Sequence, residues 1–456
     1  MKSQSTAEGS PQPLLRRRDA IAIIVGIVVG AGIFKTPSMV AGIAGDVGWV
    51  MVAWALGALI SLAGALCYAE IATAYPHAGG DYHYLTRAYG RHLSFLYAWA
   101  RAMVINTGSI ALLAFVFGDY MAHLIPLGSM GGVLWATAVV LALTAINVAG
   151  LRTSARTQNV LTAIEVFGLV AVAVAGFLMP AVGPADPAPF STSPSPGMLG
   201  LAMVFVLLTY GGWNEAAYIS AEIRGSRRAI VTVLIASIAI IAAAYLAVNA
   251  ALLNGLGLKG LADSKAAGAD VMQRAFGTLG VQTVALVVAI AALTSINATM
   301  IVGARTIYAL GRDWSTLRFV GGWHPKRGTP IVAHLVQGTI ALALVGFGAL
   351  QPDGFEAMVE FTAPVFWSFL LLVGIALFVL RVKDRHAERP FRVPLYPLTP
   401  IVFCLACAWL AYSSIAYAAS RSAVHVSLLV MAVGFVALIF TRSKRNPMRE
   451  ATKLTR

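Results

Sequence analysis

Long apolar runs dominate this chain and restrict what it can fold into. Stretches of about 20 residues with few charges recur along nearly the whole length, and each is long enough to cross a bilayer as an α-helix. The chain is 59% hydrophobic and 11% charged, whereas a soluble domain carries roughly 25% charge. We predict an all-α integral membrane protein with about twelve transmembrane helices, at residues 20–42, 47–73, 92–123, 132–149, 158–180, 198–220, 230–253, 281–309, 329–350, 356–380, 398–418 and 423–441.

These runs leave no segment for a soluble domain. We predict one transmembrane domain at residues 19–441, with cytoplasmic tails at residues 1–18 and 442–456. The lipid bilayer is therefore the expected surrounding of most of the chain.

The net charge of +14 is distributed unevenly along the chain. Basic residues precede the first run at Arg16, Arg17 and Arg18 and then recur in every second connection, whereas the connections near 124–131, 181–197 and 351–355 contain none. Loops rich in Lys and Arg stay in the cytoplasm. We predict a multi-pass plasma membrane protein (inner membrane in a bacterium) with both termini cytoplasmic, and no nucleic-acid partner is needed to explain the charge.

The first apolar run contains a glycine-rich interruption, Gly30-Ala31-Gly32. Open backbone at mid-membrane depth is tolerated only where it lines a cavity or is buried in protein. Broken helices of this kind form the substrate sites of secondary transporters. We therefore predict that helix 1 is broken here.

A second interruption lies in the sixth run, at Tyr210-Gly211-Gly212-Trp213-Asn214. A glycine pair beside Asn is a poor helix centre, and the first and sixth runs occupy corresponding positions in two halves of five helices. Paired interruptions of this kind point to a binding site between inverted repeats. The alternative is that these glycines form close-packing helix surfaces.

The chain resembles the amino acid–polyamine–organocation (APC) transporters, and most closely the L-type amino acid transporter-like branch. The matching motifs run in order from about residue 18 to 400 and are Gly30–Phe34, Gly64–Glu70, Pro76–Tyr82, Tyr210–Asn214 with Glu222 and Arg227-Arg228, Asn297, Arg305, and Arg389–Pro397. The resemblance implies a five-plus-five inverted repeat (residues 19–180 and 198–380) with broken helices 1 and 6, and two extra helices at 398–441. It also implies an amino acid or related amine as substrate.

A zwitterionic substrate needs partners for both charges in a low-dielectric cavity. Backbone N–H groups freed by a helix break favour a carboxylate, and freed carbonyls accept from an ammonium. We assign the carboxylate to Gly30, Ala31 and Gly32. The amine is assigned to Ile27, Thr209, Tyr210 and Gly211. Trp213 and Asn214 are expected to border the side-chain pocket or the outer gate, or else to serve as an interfacial anchor and a helix cap.

Glu165 stands in helix 5, where the resemblance places a Lys in many members of this branch. A carboxylate within the bilayer is a functional-site hypothesis whose partner should be named. Counted from the basic ends, Glu165 and Arg101 lie at similar depth, so we predict that they pair. The pair is either structural, or Glu165 carries a proton or binds an ion.

A sodium site is a further expectation. In sodium-coupled relatives of the wider fold, one ion lies between carbonyls of helix 1 and carbonyl and hydroxyl groups of helix 8. All-oxygen ligation suits a hard cation, although Ser and Thr also routinely bond to helix backbones. The corresponding residues here are Gly26, Val29, Ala291, Thr294 and Ser295.

The sequence thus predicts a secondary active transporter for amino acids, with neutral L-amino acids favoured because no acidic cluster is evident in the candidate pocket. The alternatives are an exchanger, or a permease for polyamines or cationic amino acids. A membrane-embedded enzyme is a remote alternative, since no catalytic constellation is found. We expect no cofactor, sodium or a proton as the coupling ion, and no other metal; the sequence leaves the oligomeric state open.

Overall fold

The computed structural model describes residues 17–77, 80–150, 155–180, 188–215, 229–418 and 422–441. Within these ranges the chain forms fifteen α-helices and no β-strand, which confirms the all-α prediction. Residues 1–16 and 442–456 of the predicted tails lie outside the described residues, as do Glu222, Arg227 and Arg228 of the motif set.

The helices follow one another with short connections. The first nine are α1 (Arg17–Val28), α2 (Thr36–Ala44), α3 (Val47–Ala74), α4 (Gly80–Tyr89), α5 (Arg91–Ala100), α6 (Asn106–Leu124), α7 (Gly131–Ala149), α8 (Ala155–Leu178) and α9 (Pro196–Thr209). The other six are α10 (Ala229–Asp263), α11 (Ala267–Asp313), α12 (Ile331–Ala349), α13 (Gly354–Lys383), α14 (Leu398–Ala418) and α15 (Ser422–Phe440).

Ten segments of the described chain are long and apolar enough to span a membrane, with α5 and α6 forming one continuous segment. Each coincides with a predicted span. The predicted first span consists of the shorter helices α1 and α2, and the predicted sixth span, which is described as far as Glu215, begins with α9 and a 3₁₀ turn at Trp213–Glu215. The interruptions at the glycine motifs are the reason these two segments fall below spanning length.

α10 and α11 extend well beyond their predicted ends. Each contains one glycine in the left-handed region, Gly257 (φ 69°) and Gly277 (φ 62°), at which the helix bends. Only glycine adopts such angles without steric cost. Hydropathy alone does not reveal these bends.

A five-residue π-helical segment, Arg101–Ile105, joins α5 to α6. π-Helical turns are rare, and they are frequent at functional sites. Because such a turn holds more residues than an α-helical turn, it changes which residues of this span face the interior.

The bundle has two distinct ends. We call "basic side" the end with the start of α1 (Arg17 and Arg18) and the segment α4, and "opposite side" the end where α2 stops and α3 begins. On the basic side, Glu70 of α3 accepts hydrogen bonds from Arg381 Nε (2.8 Å) and from the Val393 amide (2.7 Å). This buried carboxylate therefore fixes the connection between α13 and α14.

Large apolar side chains cover the outward surface of the bundle. On α8, for example, Phe167 is 71% exposed and Leu178 is 73% exposed. A contiguous apolar surface of this extent marks contact with a membrane. Polar and charged groups are instead gathered in the interior, around the two helix breaks.

Candidate functional site

The first helix is interrupted at the predicted motif. α1 ends at Val28, a 3₁₀ turn spans Ala31–Phe34, and α2 begins at Thr36. The Gly30 amide donates to the Val28 carbonyl (2.8 Å). The amides of Ala31 and Gly32 are the first two of the 3₁₀ turn, so they have no partner inside it. Two of the three predicted carboxylate donors are thus free of helical bonding.

The sixth helix is interrupted directly against the first. α9 ends at Thr209, and Gly212 follows with φ 108°. A Cβ at Gly212 would lie 3.0 Å from Ile27 Cγ2, so the backbone of one break approaches the side chain of the other closely. The Thr209 hydroxyl also donates to the Thr36 hydroxyl (2.7 Å). Gly212, absent from the predicted site, is the residue that permits this approach.

Tyr245 of α10 joins the two breaks. Its hydroxyl donates to the Val28 carbonyl at 2.7 Å and lies 3.2 Å from the Thr209 carbonyl. The side chain is fully buried. The Thr209 carbonyl was predicted to accept from a substrate ammonium. It instead shares the Tyr245 hydroxyl as a donor with the Val28 carbonyl. In the sequence, Tyr245 is the one tyrosine of a largely apolar span that also contains Thr232, Ser237 and Asn249.

A cavity of about 340 Å³ lies between the two breaks and the α5–α6 and α13 segments. Its volume falls at the lower end of the range for small-molecule sites. It is lined by six of the nine predicted substrate residues: Ile27, Gly30, Gly32, Thr209, Gly211 and Asn214.

Three predicted substrate residues do not line this cavity. Ala31 is fully buried. Tyr210 packs against the rings of Trp54 and Tyr245, and Trp213 packs edge-on against Tyr68. The aromatic side chains of this motif thus hold the broken helix against α3 and α10.

The wall of the cavity toward the basic side carries charge. Arg101 Nη2 donates to both carboxylate oxygens of Glu215, at 2.7 and 2.8 Å, and Nη1 donates to the Tyr97 hydroxyl at 3.0 Å. The Tyr97 hydroxyl donates in turn to Asp81 of α4 at 2.9 Å. Burial raises the pKa of Asp81 to about 6, although Arg101 opposes this shift.

The predicted Arg101–Glu165 pair is wrong. Arg101 is engaged by Glu215, and the Glu165 carboxyl contacts the Thr294 hydroxyl of α11 instead. Depth counted along two helices places residues at one level but does not fix the direction in which each points. Arg101 opens the π-helical segment, which turns it toward the break in helix 6.

The residues predicted to hold a coupling ion converge on one region. Gly26, Thr294 and Ser295 line the cavity, whereas Val29, Ala291 and Glu165 lie behind its wall. The Thr294 hydroxyl is also 2.9 Å from the Ala291 carbonyl. Glu165 of α8 and Thr294 and Ala291 of α11 therefore contact one another behind this wall, and the binding of a coupling ion by these six residues stays a prediction.

Two features close the cavity toward the opposite side. Lys35, which is 5% exposed, bridges Asp119 of α6 (3.1 Å) and Asp353 at the start of α13 (3.7 Å). Beside it, the Tyr120 hydroxyl donates to the Phe34 carbonyl (3.1 Å). The cavity lining reaches Thr36 and Phe355 beside this bridge and extends to Asp81 and Glu215 on the basic side.

No set of three His, Cys, Asp or Glu side chains within the described residues could hold a metal ion. The polar groups around the cavity are backbone amides and carbonyls, hydroxyls, the side chains of Asp81, Asn106 and Asn214, and the Arg101–Glu215 pair. This arrangement can bind and release a small polar molecule.

Comparison with known proteins identifies related chains. A family model described as "Amino acid permease" matches residues 15–440. The b(0,+)-type amino acid transporter 1 of Homo sapiens is 28% identical over 422 residues, covering 91% of this chain and 85% of the relative. The serine/threonine exchanger SteT of Bacillus subtilis (strain 168) is 27% identical over 390 residues, covering 84% and 86%. Large neutral amino acids transporter small subunit 2 of Oryctolagus cuniculus is 27% identical over 401 residues, covering 86% and 74%.

These relatives are all transporters, so the chain moves amino acids across a membrane and is not an enzyme. The predicted resemblance to the APC transporters is confirmed. Because the family match extends over nearly the whole chain, this protein belongs to the amino acid permease family.

Proposed function

We propose that this protein transports neutral L-amino acids by alternating access, with the substrate held between the two helix breaks. The basic side faces the cytoplasm, in keeping with the distribution of Lys and Arg, so both termini are cytoplasmic. The membrane is the plasma membrane, which in a bacterium is the inner membrane.

The substrate carboxylate binds at the amide of Gly32, which lines the cavity and which the helix break leaves without a helical partner. The ammonium binds at the opposing carbonyls, including that of Ile27, whose residue lines the cavity. The Gly30 amide contributes less than expected from the sequence, because it already donates to Val28.

The charges of the cavity wall account for the preference for neutral substrates. Two carboxylates line it, Glu215 and Asp81. Glu215 is paired bidentately with Arg101, and Asp81 accepts from Tyr97. A cationic side chain would have to displace these partners, whereas an uncharged one only has to fit among the remaining apolar side chains. The names of two relatives, a serine/threonine exchanger and a large neutral amino acid transporter, support the same preference.

The described conformation corresponds to an inward-facing state. The Lys35 bridge closes the outer side, and the cavity continues toward the cytoplasm. Alternating access then requires the Lys35 contacts to separate while the groups around Arg101 close.

The test is exchange of radiolabelled amino acids by the purified protein in proteoliposomes. Vesicles loaded with one unlabelled compound are offered that same compound in labelled form, across a panel of neutral amino acids, arginine, lysine and putrescine. We expect exchange with neutral amino acids and little with the cationic compounds. Faster exchange of arginine or putrescine than of any neutral amino acid would overturn the substrate class.

A further inference from the structure

Glu165 is a carboxyl group in the middle of a spanning helix, and the substrate site described above does not use it. It lies on α8, is 1% exposed, and is surrounded by α1, α10 and α11. A carboxylate buried without a cationic partner is strongly disfavoured, so such a group is either paired or protonated. The surroundings of Glu165 decide between these.

The groups that face Glu165 from the neighbouring helices offer no cation. On α10, the Tyr245 phenol interacts with it electrostatically. On α11, the Thr294 hydroxyl contacts one carboxyl oxygen. The other oxygen makes no hydrogen bond within the described residues, and no basic side chain of α1, α10 or α11 in that part of the chain pairs with the carboxyl.

The Thr294 hydroxyl has one hydrogen but two neighbouring oxygen atoms. Its hydroxyl oxygen contacts both the Ala291 carbonyl and a Glu165 oxygen. A hydroxyl has one hydrogen to donate, and a carbonyl and an ionised carboxylate are both acceptors only. Both contacts are satisfied when Glu165 is protonated and donates to Thr294, which in turn donates to Ala291. The geometry therefore fits the neutral carboxylic acid.

Thr294 also connects this carboxyl to the substrate cavity. Its side chain lines the cavity, as do Gly26 of α1 and Ser295, whereas Glu165 lies behind this wall. A proton leaving Glu165 can pass to water in the cavity through the Thr294 hydroxyl. After that loss, the single Thr294 hydrogen turns to the carboxylate and the Ala291 carbonyl loses its side-chain donor.

We propose that Glu165 is a proton carrier that couples amino acid uptake to inward proton movement, by binding a proton from outside and releasing it through Thr294 into the cytoplasmic cavity. This inference rests on the proposed transport function.

The same carboxyl can influence the helix breaks. A Cβ at Gly26 would lie 2.3 Å from Thr162 Oγ1, so α1 packs against α8 with no spare space one turn from Glu165. Tyr245, which faces the carboxyl, donates to Val28 at the end of α1. A charge appearing on Glu165 therefore acts on the contacts that hold α1 in place.

The experiment uses purified full-length protein in proteoliposomes without internal substrate. Uptake of a neutral amino acid is measured with an inside-alkaline gradient of about one pH unit, with an inward sodium gradient at symmetric pH, and with neither. For one proton per substrate we expect about ten-fold accumulation with the pH gradient, and none with sodium alone. Accumulation with sodium but not with the pH gradient would overturn the proposal in favour of a sodium ion.

Two variants locate the effect. In Glu165→Gln, the pH gradient should no longer stimulate uptake. The reference for this comparison is the exchange activity of the same variant at symmetric pH. Thr294→Val, which keeps the carboxyl but removes the hydroxyl, should slow the pH-driven uptake several-fold. The control is Glu360→Gln, at a second buried glutamate outside the cavity lining, which should keep the stimulation.

The outcomes also separate this inference from the proposed function. Exchange of neutral amino acids without any response to the pH gradient leaves the transport function intact and overturns the proton carrier. No exchange of any neutral amino acid by the wild-type protein removes the proposed function itself. Full pH-driven accumulation by Glu165→Gln shows that another group carries the proton.

Discussion

At the scale of single residues, the wall of the cavity on the basic side depends on a chain of hydrogen bonds from Asp81 through Tyr97 and Arg101 to Glu215. Asp81 is 3% exposed, and it is the member of this chain whose ionisation responds to pH near neutrality. Asp81 belongs to α4 and lies where the cavity lining reaches the basic side.

The pH dependence of stability tests this assignment. Burial raises the Asp81 pKa from 3.8 to about 6, so the folded protein holds a proton that the unfolded chain has lost. This stabilises the fold at low pH, and the stabilisation disappears as the pH rises through about 6. Between pH 5 and pH 7 we expect the wild type to lose about 1 kcal/mol relative to Asp81→Asn, measured by thermal or denaturant unfolding of both proteins.

Asp81→Asn is a suitable comparison because the amide keeps an oxygen that can accept from Tyr97. A stability difference between the two proteins that is the same at pH 5 and pH 7 would show that Asp81 does not titrate in this range. A wild type that gains stability relative to the variant as the pH rises would contradict the sign.

Residue types and spacing predicted the substrate region but not every contact in it. The glycines of both motifs indicated where the backbone opens, because helices tolerate glycine poorly. The partners of Arg101 and Glu165 could not be derived in this way, since position along a helix gives depth and not direction. Tyr245 could not be predicted as a site residue, because one tyrosine among the few polar residues of a span has no periodicity that marks it.

At the scale of elements, the outer closure joins three segments through one lysine. Lys35 follows the break in helix 1, Asp119 belongs to α6, and Asp353 caps α13. The cation lies between two carboxylates that would repel each other without it. The bridge therefore favours the state in which these three segments are close together.

Lys35→Met should shift the protein toward opening on the opposite side. Because both aspartates are partly exposed, we expect a bias of about 1 kcal/mol rather than the full value of a buried pair, which corresponds to about a five-fold change in population. The measurement is the rate at which a membrane-impermeant thiol reagent, applied from the opposite side, modifies a cysteine introduced at Ser109 in the cavity lining.

Two controls accompany this measurement. Lys326→Met removes an exposed lysine on the basic side and should leave the modification rate unchanged. The parent protein without the Ser109 substitution reports on the three native cysteines. Equal modification rates for Lys35→Met and the wild type would show that the bridge does not hold the outer side closed.

At the scale of the whole molecule, one cavity lies between two interrupted helices, closed by charge on one side and continuous with the other. The positions of the ten long segments were predictable because hydropathy over about 20 residues reports membrane burial, whereas the count of twelve spans stays a prediction. The bends at Gly257 and Gly277 and the π-helical segment were not, because they depend on local backbone geometry. The inverted repeat stays a prediction.

Binding of a neutral amino acid to the purified protein tests the role of the helix 1 break most directly. A valine at Gly32 would place methyl groups in the cavity toward Thr209, whose side chain lies 3.8 Å from the position of the new Cβ. The control is Gly42→Val on α2, the helix that follows the 3₁₀ turn with Gly32, where the new Cβ meets only Ala262 at 3.8 Å. Ligand-induced stabilisation, which rises with ligand concentration relative to Kd, is measured for wild type, Gly32→Val and Gly42→Val. All three proteins should insert and fold. We expect the amino acid to stabilise the wild type and Gly42→Val but not Gly32→Val. If the amino acid stabilises Gly32→Val as much as the wild type, a substrate site at the break in helix 1 is contradicted.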